Sequence, residues 1–156
     1  MLIFLVQQAF MEELSIALYF GFNYQSIVGA NQYYRFVTAA FSHQGILHIL
    51  FNMCALAVFS VQQENAYGTY FFTVVNIWLL ILCSCIQLAY MHVRIFWMPI
   101  SLGGGNLELL VSYSIGYSAV LFGLIMLICL TGDKHVNMYG CKVRKILIPF
   151  GYLLLS

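Results

Sequence analysis

Long uncharged stretches, mostly apolar, alternate with short polar segments along the chain. No charged residue occurs in 36–63, 65–93 or 109–132. Each interval is long enough for one helix of roughly 20 residues across a bilayer core. None shows the strict alternation of a membrane β-strand. The pattern therefore predicts three membrane-spanning segments, at about 45–61, 70–91 and 109–131, with helical residues 46–61, 70–91 and 118–131.

The segments between these stretches are polar or rich in turn residues. Residues 7–30 are amphipathic and aromatic, which favours an interfacial segment over a span. Residues 29–32 read as a turn, and 62–68 as a short polar connection. The three glycines at 103–105 make 99–106 a flexible segment, which we interpret as a linker rather than a lid.

Composition supports a membrane protein of the all-α class. The chain is 63% hydrophobic and only 7% charged, whereas a soluble domain carries roughly a quarter charged residues. A net charge of +1 without a basic, aromatic-rich patch gives no reason to expect a nucleic-acid partner. The five cysteines form no metal-like cluster, and Cys83 and Cys85 suit small core positions. We expect a lipid bilayer as partner, with no metal and no cofactor.

Both ends of the sequence are apolar but short. Residues 1–6 are too few to span and lack the features of a signal peptide, and 146–156 form an apolar run of 11 residues. We expect residues 1–156 to be a single membrane domain that is incomplete at both ends.

The basic residues predict the orientation. Segment 133–145 carries four of the six, and basic short loops stay in the cytosol. Ser118, at the other end of its span, is then extracytoplasmic. Counting back two crossings places His48 at the same depth.

His48 and Asn52 form the first candidate site. On a helix their spacing of four places them on one face. A polar pair entering lipid is costly unless it is buried or lines a wet cavity. The alternative is that the two side chains anchor a helix end at the interface.

Ser118 forms the second candidate site, between Gly116 and Ala119. A serine that follows a glycine at a helix start exposes its hydroxyl and its backbone N–H, where the helix dipole favours negative charge. An acyl-transfer nucleophile with an oxyanion site needs these features. Small residues are also frequent where membrane helices pack, so helix packing is the alternative.

Taken in order, these motifs resemble the rhomboid family of intramembrane serine proteases over about 33–130. The similarity implies a rhomboid-like, multi-pass helical bundle, from part of the first helix through the start of the fifth. The matching residues are Tyr34-Arg35, His43-x4-His48-x3-Asn52, Glu64-x3-Gly68, Gly116-x-Ser118 and Phe122.

The resemblance also implies roles. Ser118 is the expected nucleophile, and His48, Asn52 and the Ser118 backbone N–H are the expected oxyanion donors. The other implied roles are supporting ones: substrate approach at Gly116, packing under the catalytic histidine at Phe122, support of the active site at His43, and structural contacts at Arg35 and Glu64.

Three departures from the family pattern stand out. Tyr34 replaces the usual tryptophan, and Ala119 stands where many members have glycine. The family's catalytic histidine belongs to a sixth helix, beyond residue 156. His92 and His135 lie in the wrong places to substitute, so we expect residues 1–156 alone to be inactive.

The resemblance leads to an intramembrane serine endopeptidase that cleaves transmembrane protein substrates. The alternative is a non-proteolytic rhomboid-like protein that binds membrane clients. A channel or transporter is a third reading, but the spans lack an ionisable residue suited to bind an ion.

Overall fold

The computed structural model describes residues 13–97, 106–130, 135–138 and 141–144. Six α-helices lie in these ranges, together with one π-helical turn, Gln25–Gly29. Two short antiparallel strands, β1 (His135–Met138) and β2 (Cys141–Arg144), pair within the segment predicted as a loop. The helices are α1 (Glu13–Phe20), α2 (Arg35–Phe41), α3 (Ile46–Tyr67), α4 (Thr69–Phe96), α5 (Asn106–Val111) and α6 (Ser118–Leu130).

Helices α3 and α4 are long and apolar enough to cross a membrane. At 1.5 Å per residue they measure about 33 and 42 Å. Both include the predicted helical ranges and extend beyond them. The polar connection predicted at 62–68 was wrong, because α3 continues through Tyr67. Gly68, with φ +84°, separates the two helices. Thr69, the first residue of α4, donates a hydrogen bond from Oγ1 to Glu64 in the last turn of α3.

The third apolar stretch is interrupted. Helix α5 ends at Val111, residues 112–117 are non-helical, and α6 then begins at Ser118. The prediction that Ser118 starts its helix is confirmed. Residue 131, the predicted end, lies outside the described residues, as does most of the predicted linker.

The segment before α3 packs against the helices of the bundle. Ile16, Phe22 and Ile27 are fully buried, and residue 31 adopts a positive φ within the predicted turn. Arg35 is 4% exposed and donates to the carbonyls of Leu18 and Gly21. It therefore ties α2 to α1, which fits the structural role implied by the resemblance.

Helices α3, α4 and α6 pack against one another. Gly123 of α6 lies so close to Leu79 of α4 that a Cβ atom would sit 2.9 Å from the leucine. Gln63 of α3 donates to the carbonyl of Leu124 on α6. This packing brings the start of α6 beside the start of α3.

Candidate active site

The segment that leads into α6 is held from two sides. Phe22 and Ser114 exchange backbone hydrogen bonds of 2.8 and 3.0 Å, as in an antiparallel bridge. Asn23 Nδ2 donates to the carbonyls of Leu110 and Ser112, at 2.8 and 2.9 Å. The position of 110–116 is therefore fixed by the N-terminal segment.

The two predicted motifs meet at Gly116. Its N–H donates to the carbonyl of Ala39 at 2.8 Å, and its φ is +114°, which L-residues with a side chain rarely adopt. A Cβ on Gly116 would lie 2.8 Å from Cε1 and 2.9 Å from Nε2 of His48. The imidazole thus packs directly on the backbone two residues before Ser118.

His48 and Asn52 occupy successive turns at the start of α3. Gly45, with φ +84°, precedes the helix and turns the chain into it. Asn52 is 1% exposed, and its Nδ2 donates to the carbonyl of His48 at 3.1 Å. This hydrogen bond holds the amide within α3, one turn below the imidazole.

His43 is buried beside His48. The two rings meet edge to face, with centroids 5.2 Å apart and planes at 72°. Burial, and secondarily the neighbouring His48, lowers the pKa of His43 from 6.5 to about 4. The ring is therefore neutral at physiological pH, and it supports the His48 side chain by packing.

Tyr117 lies between the glycine and the serine. Its hydroxyl donates to Asn76 Oδ1 on α4 at 2.9 Å, and its ring lies 6.0 Å from the ring of Phe41. The carbonyl of Tyr117 accepts from the N–H of Leu121 at 3.0 Å, which starts the hydrogen bonding of α6. Tyr117 and His43 also line a cavity of about 140 Å³.

The predicted site residues are only partly brought together. His48 meets Gly116, as expected if the two motifs form one site. The hydrogen bond of Asn52 described above stays within α3, so its role as an oxyanion donor stays a prediction. Phe122 is half-buried on α6, one turn after Ser118.

The remaining histidines lie elsewhere. His92 Nδ1 is 2.7 Å from the hydroxyl of Tyr24, near the end of α4, and His135 begins β1. No sequence pattern predicted the contact between Tyr24 and His92.

Three side-chain amides join separate elements of the fold. Asn76 of α4 accepts a hydrogen bond from the hydroxyl of Tyr117, the residue before α6. Asn23 and Gln63 were missed. Gln63 follows Asn52 by 11 residues, which is three helical turns, and that spacing is the signal that it shares a face with Asn52.

A family model described as the Rhomboid domain matches residues 30–156. The chain belongs to the rhomboid family. The rhomboid match covers Arg35, α3, α4 and α6, and so includes every candidate site residue. Family membership and the two long apolar helices together make this rhomboid a membrane protein.

Among curated proteins, the rhomboid chain is similar to "Rhomboid-like protein 15" of Arabidopsis thaliana. The two are 33% identical over 121 residues, which is 74% of this chain and 28% of that protein. The match thus spans a little over a quarter of the relative's length. No solved structure matches significantly.

Proposed function

We propose that this rhomboid is an intramembrane serine endopeptidase that cleaves transmembrane protein substrates by acyl transfer to Ser118. The observation that carries the proposal is the contact between the His48 ring and Gly116, two residues before a serine that begins a helix. A hydroxyl, a helix N-terminus and a nearby N–H donor are the parts that acyl transfer requires.

In the proposed reaction, Ser118 Oγ attacks the scissile carbonyl and forms a C–O bond. The resulting oxyanion receives hydrogen bonds from the Ser118 backbone N–H and from His48 and Asn52. Collapse of this intermediate breaks the C–N bond, and water then hydrolyses the acyl-enzyme. Each oxyanion donor stabilises charge that develops only on the way to the intermediate, so it accelerates the reaction rather than tightening substrate binding.

The proton of Ser118 needs an acceptor, which later protonates the leaving amine. We assign this base to the histidine that the family carries in its sixth helix. His48 is assigned to the oxyanion because its ring packs on Gly116, and His43 is buried behind it. His92 is hydrogen-bonded to Tyr24.

We also propose that the protein crosses the membrane several times, with 132–145 on the cytosolic side. The site then opens toward the opposite, extracytoplasmic side, where a transmembrane substrate emerges from lipid. The high proportion of basic residues in 133–145 supports this orientation.

A second candidate is a non-proteolytic protein that binds membrane clients. The hydrogen bond from Asn52 Nδ2 to the carbonyl of His48 favours it, because this amide proton already has a partner within α3. The printed name of the Arabidopsis relative, "Rhomboid-like protein 15", states no protease activity.

Expression of the full gene with a transmembrane reporter separates the two candidates. The protease proposal expects cleavage that is lost in Ser118→Ala, and covalent labelling of Ser118 by a fluorophosphonate. Reporter cleavage that survives Ser118→Ala contradicts the proposal. Reporter binding without cleavage or labelling supports the client-binding protein instead.

A further inference from the structure

Tyr117 is anchored at both its backbone and its side chain. Its carbonyl accepts the first hydrogen bond of α6, from Leu121, and its hydroxyl donates to Asn76 on α4. Asn76 is itself oriented, since its Nδ2 donates to the carbonyl of Phe72 at 2.7 Å. This leaves Oδ1 as the acceptor that faces the tyrosine.

The hydrogen bonds of Tyr117 affect Ser118 through the peptide group that joins the two residues. The carbonyl of Tyr117 and the N–H of Ser118 belong to the same planar, trans peptide group, so they point in opposite directions. With the carbonyl directed along α6 to Leu121, the N–H is directed out of the helix start. That N–H is one of the donors left without a partner inside the helix, and it is the backbone donor of the proposed oxyanion site.

The backbone of Gly116 alone does not determine the orientation of the peptide plane between Tyr117 and Ser118. Gly116 has no side chain, and its φ of +114° lies in a region where glycine moves freely. Its N–H is fixed by Ala39, but the rotation between Gly116 and Ser118 depends on where the Tyr117 side chain is held. The hydroxyl contact with α4, which is packed against α6, supplies that constraint.

We propose that Tyr117 and Asn76 are positioning residues that set the direction of the Ser118 N–H and the place of Ser118 Oγ. This inference rests on the proposed function, because it assigns the contact to the nucleophile of that reaction. Neither side chain is expected to touch the substrate. The contact acts through the backbone of the nucleophile, and α4 thereby takes part in setting up the site.

The test uses three variants of the full gene product: Tyr117→Phe, Asn76→Leu and the double variant. Tyr117→Phe removes only the hydroxyl and keeps the ring beside Phe41. Gln63→Leu is the matched control, because it also removes a side-chain amide that hydrogen-bonds outside its own helix, but at Leu124 and not at the start of α6. Labelling of Ser118 by a fluorophosphonate, reporter cleavage and thermal unfolding are measured in detergent micelles.

We expect each single variant to lower the labelling rate and kcat about tenfold, with KM unchanged, at a temperature well below unfolding. Misplacement of a reacting group by a fraction of an ångström has effects of this size. The double variant should lose no more than either single one, since all three remove the same hydrogen bond. Gln63→Leu should label at the wild-type rate.

Hydrogen exchange of the amides in 116–121 gives a readout that does not depend on catalysis. Exchange there should accelerate in Tyr117→Phe and Asn76→Leu and stay unchanged in Gln63→Leu. If wild-type Ser118 is labelled but the variants match it in labelling and exchange, the positioning role is overturned and the proposed function stands. If wild-type Ser118 is neither labelled nor needed for cleavage, the proposed function fails. In that case, faster exchange in the variants still supports the Tyr117–Asn76 hydrogen bond as an anchor of this backbone. Unchanged exchange overturns the anchor as well.

Discussion

Asn52 and Gln63 are two buried carboxamides on the same face of α3, and they lie toward opposite ends of the helix. Asn52 is 1% exposed and Gln63 2% exposed. The amide of Gln63 crosses to the carbonyl of Leu124 on α6, so it joins two helices. The amide of Asn52 donates to the carbonyl of His48, one turn earlier in its own helix.

On the proposed function, the difference separates a packing residue from a site residue. Burying an amide costs free energy unless its hydrogen bonds are made, and an interhelical bond such as that of Gln63 returns part of this as helix association. The bond described for Asn52 ties no second helix to α3. Asn52 instead lies one turn from His48, whose ring packs on Gly116, and this placement is what the proposed oxyanion site requires.

The comparison depends first on whether the Asn52 end is catalytic. Ser118→Ala in the full gene product should abolish cleavage of a transmembrane reporter, because the hydroxyl is the proposed nucleophile and its loss typically removes several orders of magnitude of rate. Immunoblotting of the reporter checks this. Ser112→Ala, a serine in the same segment before α6, is the control and should cleave normally.

Replacing Asn52 with an apolar residue tests its side of the comparison directly. Asn52→Ala should lower the cleavage rate by about 10²–10³, the usual effect of removing one oxyanion donor. Steady-state kinetics should show the loss in kcat. A loss that appears entirely as reduced folded protein, with normal kcat in the remainder, would make Asn52 a packing residue like Gln63.

Gly116→Ala tests the contact that joins the two motifs. The substitution introduces a Cβ atom 2.8 Å from the His48 ring and forces a side chain into φ +114°. We expect cleavage to fall by about 10–100-fold, since displacement of a catalytic group by about 1 Å has effects of this order. Gly68→Ala is the matched control: it has φ +84°, and its Cβ would have nothing within 4 Å. Equal activity loss in both would show that backbone strain alone is responsible.

The buried histidine beside the site predicts a pH dependence of stability. The pKa of His43 is lowered to about 4 by burial, so the folded state favours the neutral ring. Its contribution to stability is complete above pH 6.5 and is lost as the pH falls from about 6.5 toward 4, where the unfolded chain binds a proton first. Thermal unfolding in micelles should therefore show a lower midpoint at pH 4.5 than at pH 7. His43→Gln should flatten this slope, and an unchanged slope would assign it to other groups.

The smallest effect is expected at the far end of α3. Gln63→Leu removes one interhelical hydrogen bond but also a buried Oε1 that has no hydrogen-bond partner among the described residues. The two effects oppose each other, so the free energy of unfolding should change by less than about 1 kcal/mol, with kcat within twofold of wild type. Denaturant titration measures the change. A large loss of activity would mean that the two ends of α3 are not functionally separate.

The sequence predicted the parts of this fold that depend on local pattern. Uncharged intervals located α3 and α4, and the glycine before Ser118 located the start of α6. The polar run at 62–68 led to the wrong prediction of a connection, because glutamine, glutamate and asparagine occur at helix ends as well as in loops. The first glycine of the run comes only at Gly68.

The site was less predictable, because its geometry is made by residues far apart in the chain. The spacing of His48 and Asn52 predicted a shared face, but no local pattern indicates that Asn23 holds the carbonyl of Leu110 or that Tyr117 reaches Asn76. Such contacts depend on how helices and the N-terminal segment pack, and one sequence carries no direct signal of that packing.

The Asn23 contact has a consequence for the biosynthesis of the protein. Asn23 and Leu110 lie 87 positions apart in the chain. At a synthesis rate of 5–20 residues per second, the ribosome needs roughly 4–17 s to make the partner after the asparagine. During that time the N-terminal segment has no 110–116 segment to bind, and the backbone before Ser118 gains this support only once the segment has been made. The nascent chain therefore acquires an ordered backbone before Ser118 late, after both long helices have been synthesised.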